Sequence, residues 1–339
     1  MKDIARDLGV SVVTVSKVLR NHSDIGPETR ERVLQRMKEL NYQPNWAART
    51  LVTGRTYSIG LVVPDLIHPF FAEVAKGITQ RIRSKGYSLI ISSCQEDPQL
   101  EQQEIDLLLA RQVDALILAS ARPTPDSFER CQARSVPCVL IDRRFPGVRA
   151  NYVGVDDEQV GVLATEHLVE CGCRRIAHIR GPEISTGLGR LAGYRSVLEK
   201  HGLEFRPEYV LMGQSSDDLG DVSGHEAMRR LLACEPRPDG VFCYNDPIAI
   251  GAMKAVLEAG LRVPQDIAIV GAGNVRYSEL LRVPLTSVDQ SSFTIGDRAA
   301  RLALKLIESK EERPPRSMVL PARLVVREST RGAGAPAPA

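Results

Sequence analysis

Apolar positions follow two different rhythms along this chain. Over the first 40 residues they recur at helical spacing in short bursts: Ile4, Ala5 and Leu8, then Val15, Val18 and Leu19, then Val33, Met37 and Leu40. Each burst lines one face of a short helix. Gly9 supplies the permissive backbone for a tight turn between the first two helices. Ser11 is placed to cap the second, and Pro27 suits the first position of the third. Asn41-Tyr42-Gln43-Pro44 stops the third helix. The stretch 44–56 holds good helix formers but is too short for independent stability, so it reads as a plain linker or as a helix that forms only against a partner.

From Tyr57 onward the rhythm changes to short continuous β-rich runs separated by amphipathic segments. Strands are expected at 58–63, 87–92, 115–119, 138–142, 176–179, 240–244 and 267–271. Helices are expected near 70–85, 99–111, 126–134, 158–171, 188–201, 223–233, 247–259 and 294–309. This alternation predicts βαβ units and parallel sheets, whose ligands sit at the carboxyl ends of strands. At 339 residues the chain exceeds one compact core and implies two or three domains.

The polar positions between the apolar ones sharpen the first region. Val12, Val13, Ser16 and Lys17 point outward at the start of the second helix. Two short helices at this spacing make a helix-turn-helix, whose second helix offers its N-terminal side chains to the DNA major groove. An ordinary αα-hairpin would leave Lys17 and Arg20 unexplained. Charge agrees without deciding: residues 1–56 carry ten Lys/Arg against six Asp/Glu, a net +4, so the remainder is −2 within an overall +2. A cationic head on a nearly neutral body favours a polyanion at one end. The N-terminus lacks a basic-then-apolar signal segment and no apolar run approaches the roughly 20 residues of a membrane span, so a cytoplasmic protein is expected. The seven cysteines read as reduced core thiols. Cys171-Gly172-Cys173 has no second Cys/His pair nearby at ligand spacing, and no metal is expected.

The helix-turn-helix with Thr14-Val15-Ser16, the Tyr42-Gln43-Pro44-Asn45 joint and the Ala48-Arg49-Thr50-Leu51 segment resemble the LacI/GalR family of bacterial transcription regulators, from Asp3 to about Thr330. The resemblance implies an all-α helix-turn-helix headpiece (1–44), a hinge helix or linker (45–56) and an α/β periplasmic-binding-protein-like core (57–331). That core would have two parallel-sheet subdomains, one of about 57–155 and 289–320, the other of about 156–288 and 321–331, before a disordered tail at 332–339. It further implies a homodimer on a palindromic double-stranded operator, contacted by Val12, Val13, Thr14, Ser16, Lys17, Arg20, Asn45, Ala48 and Leu51. The two Leu51 side chains would wedge a minor-groove step. Val12 and Val13 cannot donate hydrogen bonds and would pack on thymine methyls, which leaves Lys17 as the long donor for a guanine edge. Gly26 stands where relatives commonly carry a Ser cap.

The resemblance also implies a small-molecule effector, with no cofactor, at Phe70, Phe71, Ser120, Asp142, Arg190, Leu219, Asn245, Asp246, Gly273 and Gln290. Here Arg190, in the loop-to-helix run Thr186–Tyr194, would anchor hydroxyls or carboxylates. Ala272-Gly273-Asn274 replaces the family's Tyr-Asp-Asp-like triplet. Arg190 is thereby expected to lack an acidic neighbour, and a carboxylate at Gly273 to face it, so an anionic effector is as well suited as a sugar or sugar derivative. A periplasmic solute-binding protein would share the core but needs a signal segment and no helix-turn-helix. An effector-independent DNA binder would be salt-sensitive and sequence-indifferent. Gly187-Leu188-Gly189-Arg190-Leu191-Ala192-Gly193 is one residue off the dinucleotide fingerprint and lacks its acidic partner, and no hydrolase or phosphate-loop pattern occurs, so an enzyme is not expected. The reading is a sequence-specific transcriptional repressor controlled by an effector.

Overall fold

Two compact units, Met1–Thr56 and Tyr57–Ala339, make up the computed structural model of the chain. It describes residues 1–19 (the backbone only at Leu19), 23–42, 50, 54–213, 220–309, 311 and 314–332. Arg20, Asn45, Ala48, Leu51 and Leu219 lie outside the described residues.

The first unit is built on three helices: α1 (Lys2–Leu8), α2 (Val12–Leu19) and α3 (Pro27–Glu39). Ile4, Ala5, Val15, Val18 and Val33 form its buried centre, with Leu8 and Met37 packed against it. Gly9 closes α1 in the left-handed region at φ 65°, where a side chain would be strained. Leu40, expected in the α3 stripe, is instead the C-cap and 42% exposed. The helix ends one residue too soon to turn it inward.

The second unit holds two six-stranded sheets. Strands β1 (Ser58–Val63), β2 (Ser88–Ser93), β3 (Ala115–Leu118), β4 (Cys138–Ile141), β5 (Asn151–Val155) and β11 (Ser317–Leu320) form one, in the order β11-β5-β4-β3-β1-β2. Strands β6 (Ile176–Arg180), β7 (Val210–Met212), β8 (Gly240–Cys243), β9 (Ala268–Ala272), β10 (Thr286–Asp289) and β12 (Arg323–Val325) form the other, in the order β12-β10-β9-β8-β6-β7. Every pairing is parallel except β10 with β12. The chain passes between the sheets after β5, after β10 and after β11.

Helices α4 (Pro69–Arg83), α5 (Pro98–Ala110) and α6 (Asp126–Ala133) serve the first sheet, joined by α11 (Ser292–Glu308). Helices α7 (Asp157–Glu170), α8 (Ser185–Lys200), α9 (Asp221–Leu232) and α10 (Asp246–Glu258) serve the second. The strands β1, β3, β4, β8 and β9 are almost wholly buried, as sheets covered on both faces require. α8 starts at Ser185, so Thr186–Tyr194 is helix throughout and not a loop leading into one.

Glycines set how closely the helices approach. A Cβ at Gly77 of α4 would sit 2.2 Å from the Phe293 carbonyl oxygen of α11, and one at Gly296 would sit 2.1 Å from that of Val74. The same reciprocal contact joins Gly161 of α7 with Gly193 of α8, and Gly224 of α9 with Gly251 of α10. The glycines near Arg190 thus serve helix packing. They do not form a phosphate-binding loop.

Candidate functional site

In the headpiece, Ser11 Oγ accepts the Thr14 amide at 3.0 Å and pairs with Thr14 Oγ1 at 2.9 Å, which starts α2 after the turn. Val15 and Val18 face inward, so Val12 (41% exposed) and Val13 (61%) face solvent on the opposite side. Ser16 and Lys17 are half-buried, and Lys17 Nζ meets Asp24 Oδ2 at 2.5 Å. Arg36 of α3 holds Asp7 of α1 at 2.6 Å and Glu39 at 3.0 Å. Its guanidinium keeps the Asp7 carboxyl below the usual range. The helix that offers Val12, Val13 and Lys17 is therefore seated on a small core, whose other two helices are joined by the Arg36–Asp7 ion pair.

In the core, strand ends from both sheets border a cavity of about 490 Å³. Phe70 and Phe71 supply one wall; they meet edge to face at 5.1 Å, and both are nearly buried. Asp142, Arg190, Asn245 and Gln290 also line the cavity, with His68, Glu96, Arg143 and Tyr244 between them. Asp142 sits at φ 59°, and burial raises its carboxyl despite Arg190 and Arg143.

Both arginines of the cavity are already engaged. Arg190 reaches from α8, directing Nε and Nη2 to Asp157 Oδ1 at 3.1 Å each and Nη1 to the Tyr244 carbonyl at 2.6 Å. Its guanidinium lies over the Tyr244 ring, 4.5 Å from the centroid. Burial pushes Asp157 up to about 6, against the pull of Arg190. Arg143 forms a two-pronged pair with Glu96 at 2.6 and 2.8 Å and donates to the Ser120 carbonyl at 3.0 Å. Burial disfavours its charge, but Glu96 holds its pKa above the ordinary value. The expectation that Arg190 lacks an acidic neighbour is therefore corrected: Asp157, from the start of α7, occupies that role.

Three expected contacts do not reach the cavity. Ser120 turns its hydroxyl to buried Glu101 at 2.8 Å. Asp246 is fully buried and accepts from the Val275 amide (2.7 Å), Ser278 Oγ (3.1 Å) and Ser287 Oγ (2.6 Å), so it fastens the turn after β9. Gly273 has φ +125°, and a Cβ there would lie 3.8 Å from Asp246 Oδ2. A carboxylate at Gly273 would be strained and would approach Asp246 and not Arg190. The sequence reading missed His68, Glu96 and Asp157. Glu96 follows β2 and Asp157 follows β5, so a residue-by-residue reading of every strand end would have found both. His68 was hidden beside the aromatic pair.

Burial keeps the core thiols protonated, pushing Cys94 and Cys173 up to about 12. Among the described residues all cysteines are free, no group of acidic, His and Cys side chains could hold a metal, and no helix is long and apolar enough to cross a membrane.

Residues 1–45 match the model for bacterial regulatory proteins of the lacI family, and residues 165–330 match a periplasmic binding protein-like domain. The transcriptional repressor PurR of Haemophilus influenzae is 35% identical over 92% of each chain. The ribose operon repressor of Halalkalibacterium halodurans is 35% identical over 98% of this chain and 97% of its own. The crystal structure of the Lac repressor dimer bound to operator and the anti-inducer ONPF superposes with a TM-score of 0.84, at 29% identity over 97% of this chain and 98% of that one. These relatives are repressors and not enzymes. With a helix-turn-helix headpiece before a two-sheet core, this chain belongs to the LacI family of bacterial regulatory proteins.

Proposed function

We propose that this protein is a repressor that binds a palindromic operator as a homodimer and releases or engages it in response to a neutral, polyhydroxylated small molecule in the core cavity. Residues 1–44 would form the DNA-reading headpiece, 45–56 the hinge and 57–331 the sensor. Val12 and Val13 would pack on thymine methyls, Lys17 would reach a guanine edge after leaving Asp24, and Thr14, Ser16 and Arg20 would support them. Asn45, Ala48 and Leu51 would meet the minor groove between the half-sites.

The pairing of both cavity arginines with carboxylates carries the effector reading. Glu96 and Asp157 already neutralise Arg143 and Arg190, and Asp65 and Asp142 add negative charge to the wall. An anion would have to displace a carboxylate or share its cation at a desolvation cost. A sugar instead offers hydroxyls to the polar groups and an apolar ring face to Phe70, Phe71 and Tyr244. The relative named for a ribose operon and the lining by aromatic rings support the same class. Phe70, Phe71, Asp142, Arg190, Asn245 and Gln290 are the proposed effector contacts.

Selection of duplexes from a random library with the full-length protein should return an inverted repeat. Fluorescence anisotropy on that duplex should then show an affinity that changes with added neutral sugar. Enrichment of sequence-random DNA, or a response to sugar phosphates alone, would overturn the reading.

A further inference from the structure

The second compact unit begins at Tyr57, and the backbone there is strained. Tyr57 has φ 54°, in the left-handed region that costs a residue with a side chain free energy. Among the described non-glycine residues with positive φ it is the only aromatic one. Three residues earlier Gly54 takes φ 67°, where the absence of a Cβ makes the same conformation cheap. A tyrosine in this conformation persists only where its neighbours hold it.

Asp114, the residue before β3, holds the chain on both sides of that point. Its Oδ2 accepts the Tyr57 amide at 2.8 Å, and its own amide donates to the Ser58 carbonyl at 2.8 Å. The Tyr57 carbonyl accepts the Ser88 amide at 2.9 Å, and its ring lies 5.3 Å from that of Tyr87. The bonds to Ser58 and Ser88 belong to the parallel ladders of β1 with β3 and β2, whatever side chain stands at 114. The bond to the Tyr57 amide depends on the Asp114 carboxylate. The far end of β1 leads to the cavity: six residues, roughly 20 Å of strand paired on both sides, join this point to the loop that brings Asp65 and Ile67 to the wall.

We propose that Asp114 is a positioning residue for operator recognition: by holding Tyr57 in the left-handed conformation, it fixes the direction in which the chain leaves the sheet toward the DNA-reading helices. This role rests on the repressor reading above and deepens it. A joint held in one conformation lowers the ordering cost of placing two headpieces on two half-sites, and a free joint adds that cost to every specific complex. Non-specific binding is electrostatic and needs no fixed spacing, so it gains nothing from the joint.

Three variants test the role. Asp114→Ala removes the acceptor, and Asp114→Asn keeps an oxygen in its place. Tyr57→Gly keeps the backbone bonds but frees φ, and it relieves the strain, so it keeps the fold even if Asp114→Ala does not. In hydrogen exchange the Tyr57 amide should exchange about fivefold or more faster in Asp114→Ala, with Ile59–Val63 unchanged. Competition anisotropy then compares the operator selected from the random library with a random duplex. Asp114→Ala and Tyr57→Gly should each lose about fivefold or more on the operator and stay within about twofold on the random duplex. Asp114→Asn should retain both affinities. An unchanged exchange rate, an intact operator affinity in Asp114→Ala or Tyr57→Gly, equal weakening on both duplexes, or a loss in Asp114→Asn equal to that in Asp114→Ala overturns the role of Asp114. An unsubstituted protein that prefers no duplex overturns the repressor reading, and this role with it, before any variant is compared.

Discussion

Arg190 shows how a residue can be both structural and ligand-facing. Its ion pair with Asp157 is almost wholly buried, so removing one partner strands the other in a poorly solvated place. Arg190→Ala should lower unfolding free energy by about 3–5 kcal/mol in denaturant titration, and adding Asp157→Asn should recover part of that loss. A loss from Arg190→Ala below about 1 kcal/mol would mean that the pair is solvated. His178 makes a second test at the same scale. It is fully buried, stacked on Phe242 at 4.5 Å, and donates Nδ1–H to the Phe242 carbonyl at 2.9 Å. Burial pulls it down to about 3. Because the folded value lies below the unfolded one of about 6.5, the unfolded chain takes up a proton that the native chain refuses. Stability should therefore fall as pH drops below about 6.5. His178→Leu should flatten that fall by up to about 1.4 kcal/mol per pH unit between pH 6 and 4.5. Equal slopes in denaturant titrations of the two proteins would show that His178 is protonated in the fold.

At the scale of elements, α2 and the paired glycine crossings carry distinct burdens. Lys17 is exposed enough to exchange Asp24 for DNA, and an exposed ion pair opposes that exchange weakly. Lys17→Ala should cost about 1–3 kcal/mol on the selected operator and relax preference at one base pair per half-site, measured by competition anisotropy. Equal weakening on random DNA would make Lys17 a phosphate contact. Gly77→Ala tests the α4–α11 crossing. The new methyl would fall 2.2 Å from a backbone oxygen, which a rotamer change cannot relieve. A loss of about 1–3 kcal/mol or more is expected, seen as a lower denaturant midpoint with an unchanged slope. An unaffected midpoint would mean that the crossing is looser than described.

Across the whole molecule, the strands legible in the sequence were those with continuous apolar runs, whether buried throughout like β3 or half-buried like β2. The apolar runs of β1, β3, β4, β8 and β9 announce themselves. The pattern missed β5, a five-residue run that opens on Asn151 and is broken by Gly154; β7 and β12, which are three residues long and lie at sheet edges; and β11, which alternates exposed and half-buried positions. It missed β10 because Thr286-Ser287-Val288-Asp289 reads as polar although its Thr and both central residues are buried. There the hydroxyls of Thr286 and Ser287 are satisfied by Thr330 and Asp246, and the Thr286 amide donates to Ser329 Oγ, partners more than 40 residues away. The site was legible where a strand end or a motif marked it, as at Phe70, Arg190 and Asn245. It was illegible where two distant segments meet, as Arg190 with Asp157 or His68 with Asn245, since composition and periodicity carry no information on such pairs.

Charge balance in the cavity is the claim on which the functional account turns, and thermal shift of the full-length protein with matched pairs of sugar and sugar phosphate tests it most directly. A ligand that binds only the folded state raises the melting temperature by an amount that grows with the logarithm of its concentration over Kd. A rise with a neutral pentose or hexose, and none with its phosphorylated counterpart, is the predicted result. A rise with the phosphorylated member alone would contradict it, because Arg143 or Arg190 would then have left its carboxylate for the ligand.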